Sequence, residues 1–315
     1  MQADADPVDD ESRLLDALVN ARQTLDFATL GKIDDGIYLM VLKAIFAKHL
    51  EFNITTLSSK DEFGIYLQPF LRGLVEELIY LAYFSEQDER LCDELLIAMQ
   101  QLQVFEFCGR QASFFSRNRS LQPIYLPQMH GLDGNRVTDE AKSNLSARWW
   151  ALGHEAPPTT KELARLAGMD EIYEYLFAGT SRTVHFSPAS LLRLGWAQVD
   201  GDDPSKARLD KAYEFGLKGF GWYYAKFVKF YGAWILRELV GIVSKQFDHE
   251  VMESLSSVLD IYVSPTSTLR WPELITFEEM NIGIEDGIHC FRFINNPFGT
   301  ALIDGIPAQF RTAQE

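Results

Sequence analysis

The stretch FLRGLVEELIYLAYF, residues 70–84, sets the terms on which the rest of the chain is read. It is strongly apolar and helical in pattern, yet it carries Arg72, Glu76 and Glu77 in its first half. A spacing of four places Arg72 and Glu76 on one helical face. On an exposed face such a pair contributes only a few tenths of a kcal/mol, roughly 0.2–0.5. In so apolar a helix the charges must instead be desolvated and paired, which is a feature of functional sites. Both readings stay open. The spacing predicts a helix from about Asp61 to Phe84, capped by Ser58 or Ser59 and kinked or restarted at Pro69.

Helical periodicity extends outward on both sides. Leu14, Leu15, Leu18, Val19, Ala21 and Leu25 predict an amphipathic helix beginning near Glu11. Residues 37–50 are apolar almost all round, as expected of a central helix touched from several sides. A fourth helix is predicted over about 88–107. A long loop follows from Gly109 to Val137, with Pro123, Pro127, Gly131 and Gly134. Helix returns over about 138–150. A short segment, 161–167, is capped by Thr159 or Thr160 and closed by Gly168. Further helices are predicted over 170–186, from Ser187-Pro188 toward Ala197, and over 206–246. Gly216, Gly219 and Gly221 lie in this last pattern with no strand before them, so close helix packing outweighs a phosphate loop. Beyond residue 260 short β-leaning runs appear at 275–277, 282–284 and 288–294, with 300–303 as a return strand. The expected fold is a mainly α-helical bundle with a small β-containing C-terminal extension. Its parts are a disordered acidic tail (1–10), a helical bundle (11–250) and the extension (251–315).

Composition narrows the function classes. The 315 residues include 29 Lys+Arg against 45 Asp+Glu, a formal net charge of -16, so indiscriminate polyanion binding is disfavoured. Only three cysteines occur, Cys92, Cys108 and Cys290, too few and too far apart for a disulfide framework, and a reducing cytoplasm is expected. The opening MQADADPVDDE lacks the basic and apolar regions of a secretory signal. The apolar run 230–236 is closed by Lys229 and Arg237, far short of the roughly 20 residues a membrane span needs.

No P-loop, zinc-protease histidine pair or glycine-flanked serine nucleophile is present. No histidine has a ligand-spaced partner, so neither a metal nor another cofactor is expected. The most informative histidine is His185, in YEYLFAGTSRTVHFSP (residues 173–188). Ser181 and Arg182 lie on adjacent parts of its helical face, and an imidazole there suits general acid–base work. A histidine satisfied by ordinary core hydrogen bonds is the competing reading. Two basic features suggest single-stranded nucleic acid. Arg110, Arg117 and Arg119 interleave with Phe114 and Phe115, and Lys211, Lys218 and Lys229 share a stripe with Lys226 beside it. A solvated helix face and a salt-bridged loop explain them as well.

Several pieces together resemble a bacterial helical family of unknown function, over about residues 30–245. They are the Arg72-x-x-x-Glu76 helix, Trp150 followed by Pro158, KELARLAG, Tyr173 and the Ser181-Arg-Thr-Val-His185 string. That family in turn resembles the HEPN proteins, helical bundles that often act as metal-independent ribonucleases. The resemblance implies a homodimer with arginine and histidine in an interface cleft, cutting RNA in phage defence or as a toxin. His185 would be the acid or base, Arg72 or Arg182 would stabilise charge on phosphorus, and Glu76 would orient the arginine. HEPN ribonucleases usually separate arginine and histidine by four to six residues. Arg182 and His185 have two between them, so Arg72 must serve from another helix or the site is not a ribonuclease. The other expectation is a non-catalytic helical module that binds a protein partner or a small effector, suggested by the 13% aromatic content.

Overall fold

Helix α3 (Gly64–Ser85) sits at the centre because apolar residues cover most of its circumference. Leu71, Leu74, Val75, Leu78, Ile79 and Leu81 have no exposed surface. The computed structural model describes residues 7–28, 36–124, 134–185, 187–198, 214–216, 221–264, 271–274, 284–285 and 288–290. Over these residues the protein is mainly α-helical. Helix α1 (Pro7–Thr24) and α2 (Ile37–Ser58) precede α3, and α4 (Glu89–Asn118) and α5 (Gly134–Ala151) follow it. Next come α6 (Thr160–Leu166), α7 (Asp170–Ile172), a π-helical turn (Tyr173–Phe177), α8 (Ala178–Val184) and α9 (Pro188–Leu192). Helices α10 (Gly221–Val243) and α11 (His249–Tyr262) complete the helical body.

The main contact is between α3 and α10, and α3 also touches α2, α4, α6, α8 and the π turn. Helix α10 packs in addition on α2 and α11, while α1 lies across α2 and α11. Glycine permits the tightest approach. A methyl group on Gly64 would stand 2.3 Å from the Ala225 amide nitrogen and 2.6 Å from the Tyr224 carbonyl carbon. At Gly221 the same group would lie 3.3 Å from the Glu62 Cα, so this glycine has the close-packing role its pattern suggested.

Several helix boundaries differ from the sequence expectation. Helix α1 starts at Pro7, a favoured first-turn residue, ahead of the expected start near Glu11. Ser58 ends α2 and Ser59 is its C-cap, with its hydroxyl donating to the Thr55 carbonyl, so neither serine caps α3. A 3-10 turn, Asp61–Phe63, leads instead into α3, which is assigned as one helix through Pro69. The expected loop at 109–137 is half helix. Helix α4 passes Gly109 and ends only at Arg119, whose ψ of 54° leaves the helical region. Helix α4 packs along α5, with Glu94 paired to Arg148. One exposed glycine costs about 1 kcal/mol in a helix, too little to stop a long one.

The expected helix over 206–246 is overturned because Glu214–Phe215 is extended and α10 begins at Gly221. Lys211 and Lys218 lie outside the described residues. Helix α9 likewise stops at Leu192 instead of reaching Ala197, which belongs to strand β1 (Gly195–Gln198). Short strands β2 (Glu214–Phe215), β3 (Ile284–Glu285) and β4 (Ile288–Cys290) join it in an antiparallel sheet of order β2-β1-β4-β3. A distinct β-containing C-terminal extension is not supported. Helix α11 continues the helical body past residue 250, and β4 pairs onto β1 from earlier in the chain. The expected strands at 275–277 and 300–303 lie outside the described residues.

The Gly64 contact generates a paired prediction. Gly64→Ala forces a side chain against backbone and is expected to destabilise the protein by about 2 kcal/mol or more. A methyl group at Gly73, one helix face away, meets no atom within 4 Å. Gly73→Ala should therefore be neutral or stabilising by up to ~1 kcal/mol. Urea unfolding midpoints of the two variants check the contrast.

Candidate functional site

The candidate site forms where α8 ends against the middle of α3. Residues 170–184 make one helical run whose central turn, Tyr173–Phe177, is wound as a π-helix. Such turns carry an extra residue and are frequent at functional sites. Local hydroxyls bond the carbonyls of this run. Thr180 Oγ1 donates to the Leu176 carbonyl at 2.6 Å, and Ser181 Oγ donates to the Phe177 carbonyl at 2.8 Å. The His185 amide closes the last turn on the Ser181 carbonyl at 3.1 Å. His185 itself is the C-cap in extended conformation, so its ring leaves the helix where the chain does.

That ring reaches α3. Arg72 Nη1 donates to His185 Nε2 at 3.0 Å, joining residues 113 apart in sequence. A guanidinium has only donors, so Nε2 presents its lone pair and the neutral ring carries its proton on Nδ1. The contact is made within one chain. Arg72 is also fixed from a second direction, with its guanidinium carbon 4.6 Å from the centre of the Phe177 ring. Phe177 stacks on Tyr173 at 4.9 Å and 20°, and Lys161 Nζ lies 6.0 Å from the Tyr173 ring. His185 is exposed, and Arg72 is half-buried. The arrangement offers solvent a base and a fixed cation side by side. That combination suits an anionic substrate bearing a transferable proton.

Glu76 does not orient Arg72. No ion pair joins them within 4.0 Å, and Glu76 Oε1 instead accepts from Thr160 Oγ1 at 3.3 Å, tying α6 to α3. Ser181 has its hydroxyl committed to the helix backbone. Arg182 lies on α8, but its side chain is outside the described residues. The basic residues Arg110, Arg117 and Arg119 lie along the end of α4. Arg110 is exposed and pairs with Glu106 at 3.5 Å, while Arg117 and Arg119 close the distal end of α4. Lys229 is 13% exposed and bridges Glu11 at 3.0 Å and Asp61 at 3.5 Å, so it is a tie between elements and not a phosphate contact. Among the described residues no cluster of His, Cys, Asp and Glu is placed to hold a metal ion. No described helix is long and apolar enough to cross a membrane.

Phe177 was missed from sequence, although its place four residues before Ser181 and eight before His185 puts it on the same side of the run. A second polar group, buried under α3, was also missed. His49 is fully buried on α2, with Nε2 3.3 Å from Glu77 Oε2, and Lys48 pairs with the other Glu77 oxygen at 2.5 Å. Burial pushes the His49 imidazole below its ordinary range and outweighs the raising effect of Glu77. Burial alone would push Glu77 up, but hydrogen bonds from His49 and Lys48 hold it below the usual carboxylate range. A neutral imidazole donating to an ionised carboxylate follows. The i+1 neighbours Glu76 and Glu77 thus serve different faces, one toward α6 and one toward α2.

A mainly helical body with a cross-helix Arg–His pair at its surface is the class of protein these features define. Residues 53–203 match the model of a family of unknown function, DUF5677. No curated protein and no solved structure matches the chain. The matched segment carries Arg72, Glu76, Ser181, Arg182 and His185. It leaves out α10, which supplies the other side of the α3 contact.

The buried His49 predicts an acid-side loss of stability. Its folded pKa lies below the unfolded value near 6.5, so the unfolded chain binds more protons as pH falls through that value. Stability contributed by neutral His49 is present above 6.5 and is lost on going lower, whereas Glu77 contributes until below its ordinary 4.5. Between those values the slope of stability against pH should be flatter in His49→Gln than in the parent. Urea titrations at a series of pH values in that window measure it.

Proposed function

We propose that Arg72 and His185 form a metal-independent site that cleaves RNA at its 2′-hydroxyl. The observation that carries the reading is the 3.0 Å contact between Arg72 Nη1 and His185 Nε2, from helices with no local reason to meet. A phosphate arriving at Arg72 draws the guanidinium toward its own oxygens, and Nε2 is then free to accept a proton. His185 takes that proton from the 2′-hydroxyl, and the 2′-oxygen attacks phosphorus as the bond to the 5′-oxygen breaks. The leaving oxygen takes its proton from water, and His185 returns its own to solvent. Arg72 stabilises the charge that accumulates on the non-bridging oxygens. The products are a 2′,3′-cyclic phosphate and a 5′-hydroxyl. Phe177 holds the guanidinium plane in place, the role first assigned to Glu76.

Incubation of the full chain with mixed structured and single-stranded RNA in EDTA tests this reading. The parent should cut RNA but not the 2′-deoxy analogue. His185→Ala should lose about 100-fold or more, the scale of a general base. Arg72→Lys should lose roughly 10-fold or more, because an ammonium cannot present a planar fork. Cleavage by His185→Ala at the parent rate, or absence of cleavage by the folded parent, would make the pair a structural tie.

A further inference from the structure

Helix α4 buries only Cys92, Leu95 and Ala98, all in its first third. Beyond Ala98 no residue of this 30-residue helix is buried. Scattered exposed apolar residues are ordinary, but here they fall in a row. Ile97, Val104, Phe107 and Phe114 are 39%, 43%, 60% and 60% exposed and join no part of the core. Their spacings of seven, three and seven are those of successive a and d positions in a heptad. Gln100 and Gln111, both exposed, fill the two a and d positions left between them. The resulting seam is about 26 Å long and is turned about 100° or more from Leu95, on the solvent side of α4. None of its residues lies on α3 or α8, the helices that bring Arg72 and His185 together.

We infer that this seam is an interface with a second copy of the chain, the two α4 helices packed antiparallel about a two-fold axis midway between Val104 and Phe107. A two-fold contact needs one patch that fits itself. Antiparallel seams set each a position against a d position of the other helix, and turned end for end this one matches itself. Val104 meets Phe107 of the second copy, Ile97 meets Phe114, and Gln100 meets Gln111, whose amides offer each other donors and acceptors. On the flank, Arg110 keeps its bond to Glu106 and stands beside the second copy's Gln103, so no two arginines are opposed. The only charged residues from Ile97 to Asn118 are Glu106, Arg110 and Arg117, so two chains of net charge -16 meet here without acidic repulsion. Single-stranded RNA would use the rings but not Ile97 or Val104, which have no face on which a base stacks. One helix seam lies at the small end of specific interfaces, so a reversible dimer in the micromolar range is expected.

Sedimentation equilibrium of the full chain from about 1 to about 100 μM tests the inference. The average mass should rise from the chain mass of 35.9 kDa toward twice that value. Val104→Glu and Phe107→Lys should each weaken association at least about tenfold. Both side chains are exposed, so urea midpoints of the two variants should match the parent. Mixed in equal amounts, the variants should associate again. The introduced carboxylate and ammonium meet across the antiparallel seam, whereas a parallel seam sets position 104 against 104 and gives no rescue. A parent that stays monomeric at about 100 μM would overturn the inference. So would a dimer that both variants retain, or a mixture no more associated than its parts. A monomeric parent that binds single-stranded RNA, and loses it in Phe114→Ala, would assign the face to RNA instead.

Discussion

The backbone-to-backbone approach of α3 and α10 at Gly64 is the constraint on which the rest of the molecule depends. Two helices that are apolar over most of their circumference cannot stand in water, and each is the other's largest cover. At Gly64 the absence of a side chain lets the two backbones meet, and the neighbouring leucines then close over the contact. Once that crossing is fixed, α2 packs against both helices, α11 is added to α10, and α6, α8 and the π turn are added to α3. The candidate site lies where this second layer meets α3. The position of Arg72 is therefore set by core packing, and its chemistry by what the second layer brings against it.

Polar groups on α3 divide according to the layer they face. Glu77 faces α2 and is desolvated, and it is held ionised by Lys48 while His49 stays neutral. Arg72 and Glu76 face outward, where His185 and Thr160 meet them from separate helices. A helix that buries this much apolar surface can carry three charged groups because each has a partner of its own. The cost of desolvation is thereby met locally, without a direct ion pair between Arg72 and Glu76.

Much of this was legible from the residues, and what was not has physical causes. Periodicity located most of the helices, and of the two threonines offered as a cap Thr159 is the one that starts α6. The two strings that carry Arg72 and His185 stood out because charge and hydroxyl residues interrupt apolar helices. Helix ends were read poorly. The run from Arg110 to Arg117 looks like a loop by its polarity, yet it continues α4 because no proline occurs before Pro123. Partners far apart in sequence could not be read at all. Lys229 meets Glu11 and Asp61 across 218 and 168 residues, and nothing in its helical stripe announces either carboxylate. The Arg72–Phe177 contact was hidden for the same reason, since Phe177 shares a helical stripe with Ser181 and His185 but its partner lies on α3, far away in sequence.

The π turn has a consequence for how the chain can vary. Each residue of an α-helix turns the next by about 100°. One extra residue wound into Tyr173–Phe177 therefore offsets everything after it by about that angle. Residues Asp170–Ile172 lie ahead of the offset turn, and Ser181 and His185 lie beyond it. The two halves of the run are thus held in phase by a count of residues, much as two gears are timed by a single tooth. Side chains on either side can change freely, whereas loss or gain of one residue between them would leave both halves well folded and out of step.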